Sequence, residues 1–154
     1  MIELISNSPD ETFSAGRQIS RFLKAGTVVA LSGTLGCGKT CLANGIASGL
    51  GINEILTSPT YTIINEYQIP SSKDSSCLIL YHIDAYRLNN EKEFEDIGGL
   101  EIINSNSIVI IEWSENIQKA LNESFIAVSI SITGYNSRLI NITGININNK
   151  SDQV

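Results

Sequence analysis

Residues 33–40 read Gly33-Thr34-Leu35-Gly36-Cys37-Gly38-Lys39-Thr40, a match to G-x-x-x-x-G-K-[ST]. Each fixed position has a physical task in holding a row of phosphates. The glycines let the backbone bend so that its N–H groups converge on phosphate oxygens. A helix opening directly after the loop brings its dipole to bear on the same negative charge. Lys39 has the reach for the β- and γ-phosphates, and the Thr40 hydroxyl suits a Mg2+ ligand. Cys37 fills a variable position, where a small residue offers its backbone N–H.

A phosphate loop also needs a carboxylate from a neighbouring strand, to hold the ion or its water shell. Two acids end apolar runs: Asp84 after "LILYHI" and Glu112 after "IVII". Both fall at carboxyl ends of strands, where open α/β sheets bind ligands. Their spacing does not say which ligates the ion and which orients water or a switch loop. Two other matches point to guanine nucleotides, the D-x-x-G of Asp96–Gly99 and the N-K-x-D of Asn149–Asp152. Asp96 follows the acidic "EKEFE" rather than a buried strand, and the second match lies in an Asn-rich tail. Guanine specificity is therefore not expected.

The elements that must position these groups are legible in outline. "MIELI" reads as a strand. "SPDETFSAGRQISRFLKAG" reads as a helix with Ser8 as cap, Pro9 in the first turn and Glu11 completing a capping box. Phe13, Ile19, Phe22 and Leu23 give it an apolar stripe, and Gly26 is a suitable stop. "TVVALS" (27–32), "CLILYHID" (77–84) and "SIVIIEW" (107–113) are apolar runs of the kind buried on both faces of a parallel sheet. A helix from "KTCLANGIASGLG", a strand over 61–69, a polar turn over 71–76 and an acidic helical stretch broken at Gly98–Gly99 fill the intervals. "SENIQKAL" is a short helix, and alternation around "GYNS" marks a C-terminal antiparallel hairpin. The expected fold is α/β, a three-layer phosphate-loop NTPase with a mostly parallel sheet and that hairpin at one edge. Residues 1–148 are expected to form one domain, with 149–154 a frayed tail.

Composition narrows the function. The 154 residues carry a net charge of −6, with only four Arg (17, 21, 87, 138) and six Lys, all scattered. Nucleic acid binders usually present a basic face, so any contact with nucleic acid is expected to run through a partner. The three cysteines form no CxxC pair. With one histidine, His82, a dedicated zinc site is not expected. No apolar run nears the length that spans a bilayer and the N-terminus has no signal-peptide pattern, so a cytoplasmic protein without membrane contact is expected.

Beyond the loop, "TSPTYTIINEY" (57–67), "HIDAYRL" (82–88), "EDIGGLE" (95–101) and "IIEWSE" (110–115) follow in order. With "GTLGCGKT" they resemble the bacterial TsaE (YjeE) family over roughly residues 8–116. The resemblance implies a small ATPase needed to make threonylcarbamoyl-adenosine at tRNA position 37, working with the proteins TsaD and TsaB and touching tRNA only indirectly. It implies ATP and Mg2+ as cofactors, with Leu35 to Thr40 around the phosphates and Thr40 and Glu112 as metal ligands. Asp84 becomes the second acid near the metal and γ-phosphate. "TSPT" (57–60) becomes a switch loop whose hydroxyls from Thr57, Ser58 and Thr60 face the γ-phosphate. Trp113 is a candidate cover for the nucleotide site, a role that competes with plain packing after a strand, and Glu115 matches a position near the nucleotide. Asp10 and Glu11 match a segment close to the adenine, a role that competes with plain helix capping. Arg138 is a candidate nucleotide contact. Two departures, Ala85 for a larger apolar residue and the doubled Gly98–Gly99, remove no phosphate or metal group.

The function expected is a weak ATPase activated by its partners, with Lys39 and Asp84 as catalytic groups. No arginine finger is evident, although Arg87 is a candidate. Two rivals remain: a nucleotide-gated binding module without meaningful turnover, and a small-molecule kinase. The scarcity of Arg argues against the basic lid that a kinase needs.

Overall fold

A computed structural model describes residues 1–70, 78–121 and 124–145. The polar turn at 71–76, Cys77, and the tail 149–154 with its N-K-x-D match lie outside the described residues. In chain order the elements are β1 (Ile2–Ser6), α1 (Pro9–Ile19), β2 (Val28–Ser32), α2 (Lys39–Gly49), β3 (Ile64–Ile69), β4 (Leu78–Asp84), α3 (Glu91–Asp96), α4 (Gly99–Ile103), β5 (Ile108–Glu112), β6 (Ile126–Ile132) and β7 (Arg138–Thr143). Short 3-10 turns follow α1, β4 and β5.

One sheet holds all seven strands in the order β1-β7-β6-β2-β5-β4-β3. Its centre is parallel, β6-β2-β5-β4. The expected hairpin is β6–β7, turned by Gly134–Ser137. Two further antiparallel pairings, β1 on β7 and β3 on β4, widen the sheet at both edges.

Alternation along the central strands sorts the core into two layers. Val29, Leu31, Ile108 and Ile110 pack with α1 and α2 on one face, while Val28, Ile83, Val109 and Ile111 pack with α3, α4 and the turn after β5 on the other. Because both faces are covered, β5 is buried along its whole length.

The face of α1 differs from the expected stripe in a telling way. Its buried residues are Thr12, Ala15, Gly16 and Ile19, and Phe13 is only half-buried. The crossing with α2 is too close for bulk: a Cβ on Gly16 would run into the backbone of α2, and one on Gly45 into the Phe13 carbonyl. Small residues therefore take the centre of the contact. The capping box is also shifted by one residue. Ser8 accepts from the Glu11 N–H at 3.1 Å, but the Glu11 carboxylate accepts from the N–H of Asn7 at 2.6 Å rather than from Ser8. At β3, the turn in which Ile63 N–H bonds the Pro59 carbonyl delays the strand to Ile64.

Candidate active site

The parallel register sets Asp84 of β4 level with Glu112 of β5, and Leu31 of β2 beside Glu112 on the other side. The loop from β2 to α2 thus opens over the ends of the strands that carry both acids. Gly36 and Gly38 adopt φ of 74° and 113°, left-handed conformations that admit the loop's curl without strain at a Cβ. Lys39 then starts α2 and is buried, with 5% of its surface exposed. Its Nζ donates to the carbonyls of Gly33 at 2.6 Å and Thr34 at 3.1 Å.

A cleft of about 560 Å3 lies against this loop. Leu35, Gly36, Gly38, Lys39 and Thr40 form its floor, and Ser58, Thr60, Asp84, Glu112 and Trp113 its walls. Its scale is that of a small-ligand site. Among the described residues, Lys39 is the one cationic side chain that lines it.

Within the cleft, the Thr40 hydroxyl donates to Glu112, 2.9 Å from Oε1 and 3.1 Å from Oε2. Asp84 accepts from the hydroxyls of Ser58 at 2.8 Å and Thr60 at 3.0 Å, and from the Tyr86 N–H at 2.8 Å. Ser58 and Thr60 are thus turned onto Asp84, whereas Thr57 is exposed and outside the cleft wall. Both carboxylates are almost fully buried, and among the described residues neither is paired with a lysine or arginine. Two buried carboxylates level with one another at strand ends, each with hydroxyl neighbours, are hard oxygen donors of the kind a divalent cation takes.

Two non-glycine residues have positive φ among the described residues, Ile63 at 66° and Trp113 at 58°. Each borders this site, and such conformations cost on the order of 1–3 kcal/mol unless the surroundings impose them. The turn after Trp113 anchors it: the Ser114 hydroxyl bonds the Leu31 carbonyl at 3.1 Å, and the Asn116 amide bonds the Ala85 carbonyl at 2.9 Å. The strained backbone places the indole over Lys39 Nζ, 3.7 Å from the ring centroid, with the Tyr86 ring tilted against it at 52° and 4.9 Å between centroids. Trp113 therefore covers the phosphate-loop lysine.

The remaining expected residues sit around the rim. The Arg138 guanidinium donates from Nε to the Cys37 carbonyl at 2.9 Å, bracing the loop from behind rather than lining the cleft. Cys37 is buried, with its side chain in the core cluster beneath the loop. Glu115 is exposed, its Oε1 3.5 Å from the Gly33 N–H. Asp10 and Glu11 are exposed in the first turn of α1, where Glu11 caps Asn7. Asp10 acts on Cys41, whose thiol pKa is raised first by burial and then by that carboxylate. Arg87 lies over the Tyr61 ring at 4.6 Å and outside the cleft lining. Asp96, of the D-x-x-G match, pairs with Lys92 on exposed α3.

The residue that the motifs did not single out is His82. It is fully buried in β4, and its Nε2 lies 2.9 Å from Glu112 Oε1. A usable signal was present: in a strand, residues two apart share a face, so "HID" puts His82 in the row of Asp84.

Comparisons with known proteins identify the family. The family model for "Threonylcarbamoyl adenosine biosynthesis protein TsaE" matches residues 6–140. The tRNA threonylcarbamoyladenosine biosynthesis protein TsaE of Treponema pallidum is 37% identical over 138 residues, covering 90% of this chain and 97% of that protein. Its namesake in Bacillus subtilis is also 37% identical over 138 residues, covering 90% and 82%. The crystal structure of YdiB from Bacillus subtilis superposes with a TM-score of 0.73 at 30% identity, covering 94% of this chain and 86% of that one. No described helix is long and apolar enough to cross a membrane. A phosphate-loop NTPase fold, a match across most of the chain and relatives at this identity lead to one statement: the chain belongs to the TsaE family of tRNA threonylcarbamoyladenosine biosynthesis proteins.

Proposed function

We propose that the chain binds ATP in this cleft, hydrolyses it slowly when alone, and does so faster within a complex with TsaD and TsaB that forms threonylcarbamoyl-adenosine on tRNA. The observation that carries the reading is the Thr40–Glu112 contact, which joins the loop-helix hydroxyl to a strand-end carboxylate. Thr40 and Glu112 are hard oxygen donors at one point, and among the described residues no group of three or more His, Cys, Asp or Glu side chains forms a metal cage, here or elsewhere. That set fits Mg2+, which takes few protein ligands and arrives with phosphate oxygens. When bound, the ion neutralises charge on the transferred phosphoryl group.

The chain's own groups supply the rest. Lys39 turns from the loop carbonyls to the phosphates, and the loop N–H groups hold them. Asp84, already accepting from Ser58 and Thr60, orients the attacking water and the switch loop together. Slow intrinsic turnover follows from the lining, in which no arginine stands among the described residues to meet the γ-phosphate. With a net charge of −6, the chain meets tRNA through its partners. A nucleotide-gated binding module is the second reading, favoured by the Ser58 and Thr60 contacts that a γ-phosphate would rearrange.

The test is reconstituted threonylcarbamoyl-adenosine formation from purified proteins, ATP and tRNA. The wild-type chain should support many rounds, Lys39→Ala none, and Asp84→Asn one round at most. Many rounds with Asp84→Asn, still unable to hydrolyse ATP, would replace the ATPase reading by the gated module.

A further inference from the structure

We propose that His82 is the positioning residue for the metal-binding carboxylate: its Nε2–H holds Glu112 so that the carboxylate meets the Thr40 hydroxyl. The inference rests on the reading of Glu112 as a Mg2+ ligand. In the parallel pairing, His82 stands level with Ile110, two residues below the Asp84–Glu112 pair. Leu80 and Ile110 around it are fully buried. An apolar side chain would fill this place, and packing alone gives no reason for an imidazole.

The ring is also imperfectly accommodated. Nδ1 is the one buried side-chain nitrogen or oxygen without a hydrogen-bond partner among the described residues. Leaving a buried polar atom unmatched is unfavourable, so the position tolerates a cost for the sake of Nε2. That atom lies 2.9 Å from Glu112 Oε1, and since its partner is a carboxylate it carries the hydrogen. A glutamate has three side-chain torsions, and a hydroxyl on Thr40 alone leaves its carboxylate free to swing. The second contact, from β4, fixes the oxygens in the cleft before any ion arrives. Hydrogen bonds of this kind to ligating groups typically govern metal affinity by about 10- to 100-fold.

Gln and Met at this position are nearly the same shape and differ in whether they can donate. In the untagged protein with a non-hydrolysable ATP analogue, the Mg2+ concentration that half-saturates analogue binding should rise about tenfold or more for His82→Met. It should stay within about threefold of wild type for His82→Gln, and analogue binding in EDTA should be equal in all three. Thermal unfolding of His82→Met should not be lower than that of His82→Gln. Equal Mg2+ requirements for the Met and Gln variants would overturn the proposal. Glu112→Gln separates the two levels: if it leaves the Mg2+ requirement unchanged, the metal reading itself falls, and this inference with it. Should His82→Met not fold, the wild type decides. The chain has one histidine, so its imidazole 15N signals need no assignment by mutation. Mg2+ with the analogue should shift the Nε2 signal relative to the analogue in EDTA, and an unchanged signal would overturn the proposal.

Discussion

The two ends of the cleft are built differently. At the carboxylate end, side-chain contacts join Thr40 and His82 to Glu112, and Ser58 and Thr60 to Asp84, across α2, β4, β5 and the 57–60 loop. At the rim, Glu11, Glu115 and Arg138 are engaged with the scaffold, through a capped Asn7, a distant Gly33 N–H or a loop carbonyl, and Asp10 is exposed beside Cys41. The difference separates residues whose place is fixed by strand ends from residues whose place is fixed by local chain punctuation. The first kind converges because parallel register aligns the ends. The second kind does so only if a ligand draws it in.

Breaking the carboxylate end should therefore cost most. Asp84→Asn should lower ATP hydrolysis about a hundredfold, the scale of a lost positioning or acid–base group, while ATP binding stays within a few-fold. Single-turnover assays beside binding titrations check this, and an equal loss in both would make Asp84 a binding group only.

Arg138→Ala should act at an intermediate level. It removes the 2.9 Å hydrogen bond to the Cys37 carbonyl, worth about 1 kcal/mol for a brace of this kind, or roughly a fivefold loss of ATP affinity. A loss near a hundredfold would instead place the guanidinium on the nucleotide.

Asp10→Asn should do least to the nucleotide, less than about twofold in affinity if the residue serves the α1 terminus alone. Its sharper effect is on Cys41. Burial first and Asp10 second raise that thiol's pKa, so removing the charge lowers it part of the way and increases the thiolate present at a fixed pH. Alkylation of Cys41 at pH 8 should be faster in Asp10→Asn. A large drop in ATP affinity would move Asp10 into the binding set.

Legibility in the sequence divides along the same line. The phosphate loop, Asp84 and Glu112 were legible because each sits where an apolar run ends, and the run itself declares a buried strand. The edge pairings of β1 and β3 were not, since partner choice in a sheet depends on contacts far along the chain. Phe13 misled because a stripe of bulky residues normally faces a core, and here Gly16 and Gly45 bring two helices too close for one. Trp113 showed its type but not its left-handed backbone, which Ser114 and Asn116 impose through distant carbonyls. His82 is a lone histidine in the sequence, and only its two-residue offset from Asp84 puts it on the face of the buried acids.

The central claim is that the loop, Lys39 and a Mg2+ ion on Thr40 and Glu112 hold a triphosphate. Isothermal calorimetry of ATP with Mg2+ tests it most directly. The wild-type chain should bind, chelation of Mg2+ should weaken binding, and Lys39→Ala should lose about 3 kcal/mol, roughly a hundredfold. A folded wild-type protein that gives no heat of association at millimolar ATP and Mg2+ would contradict it.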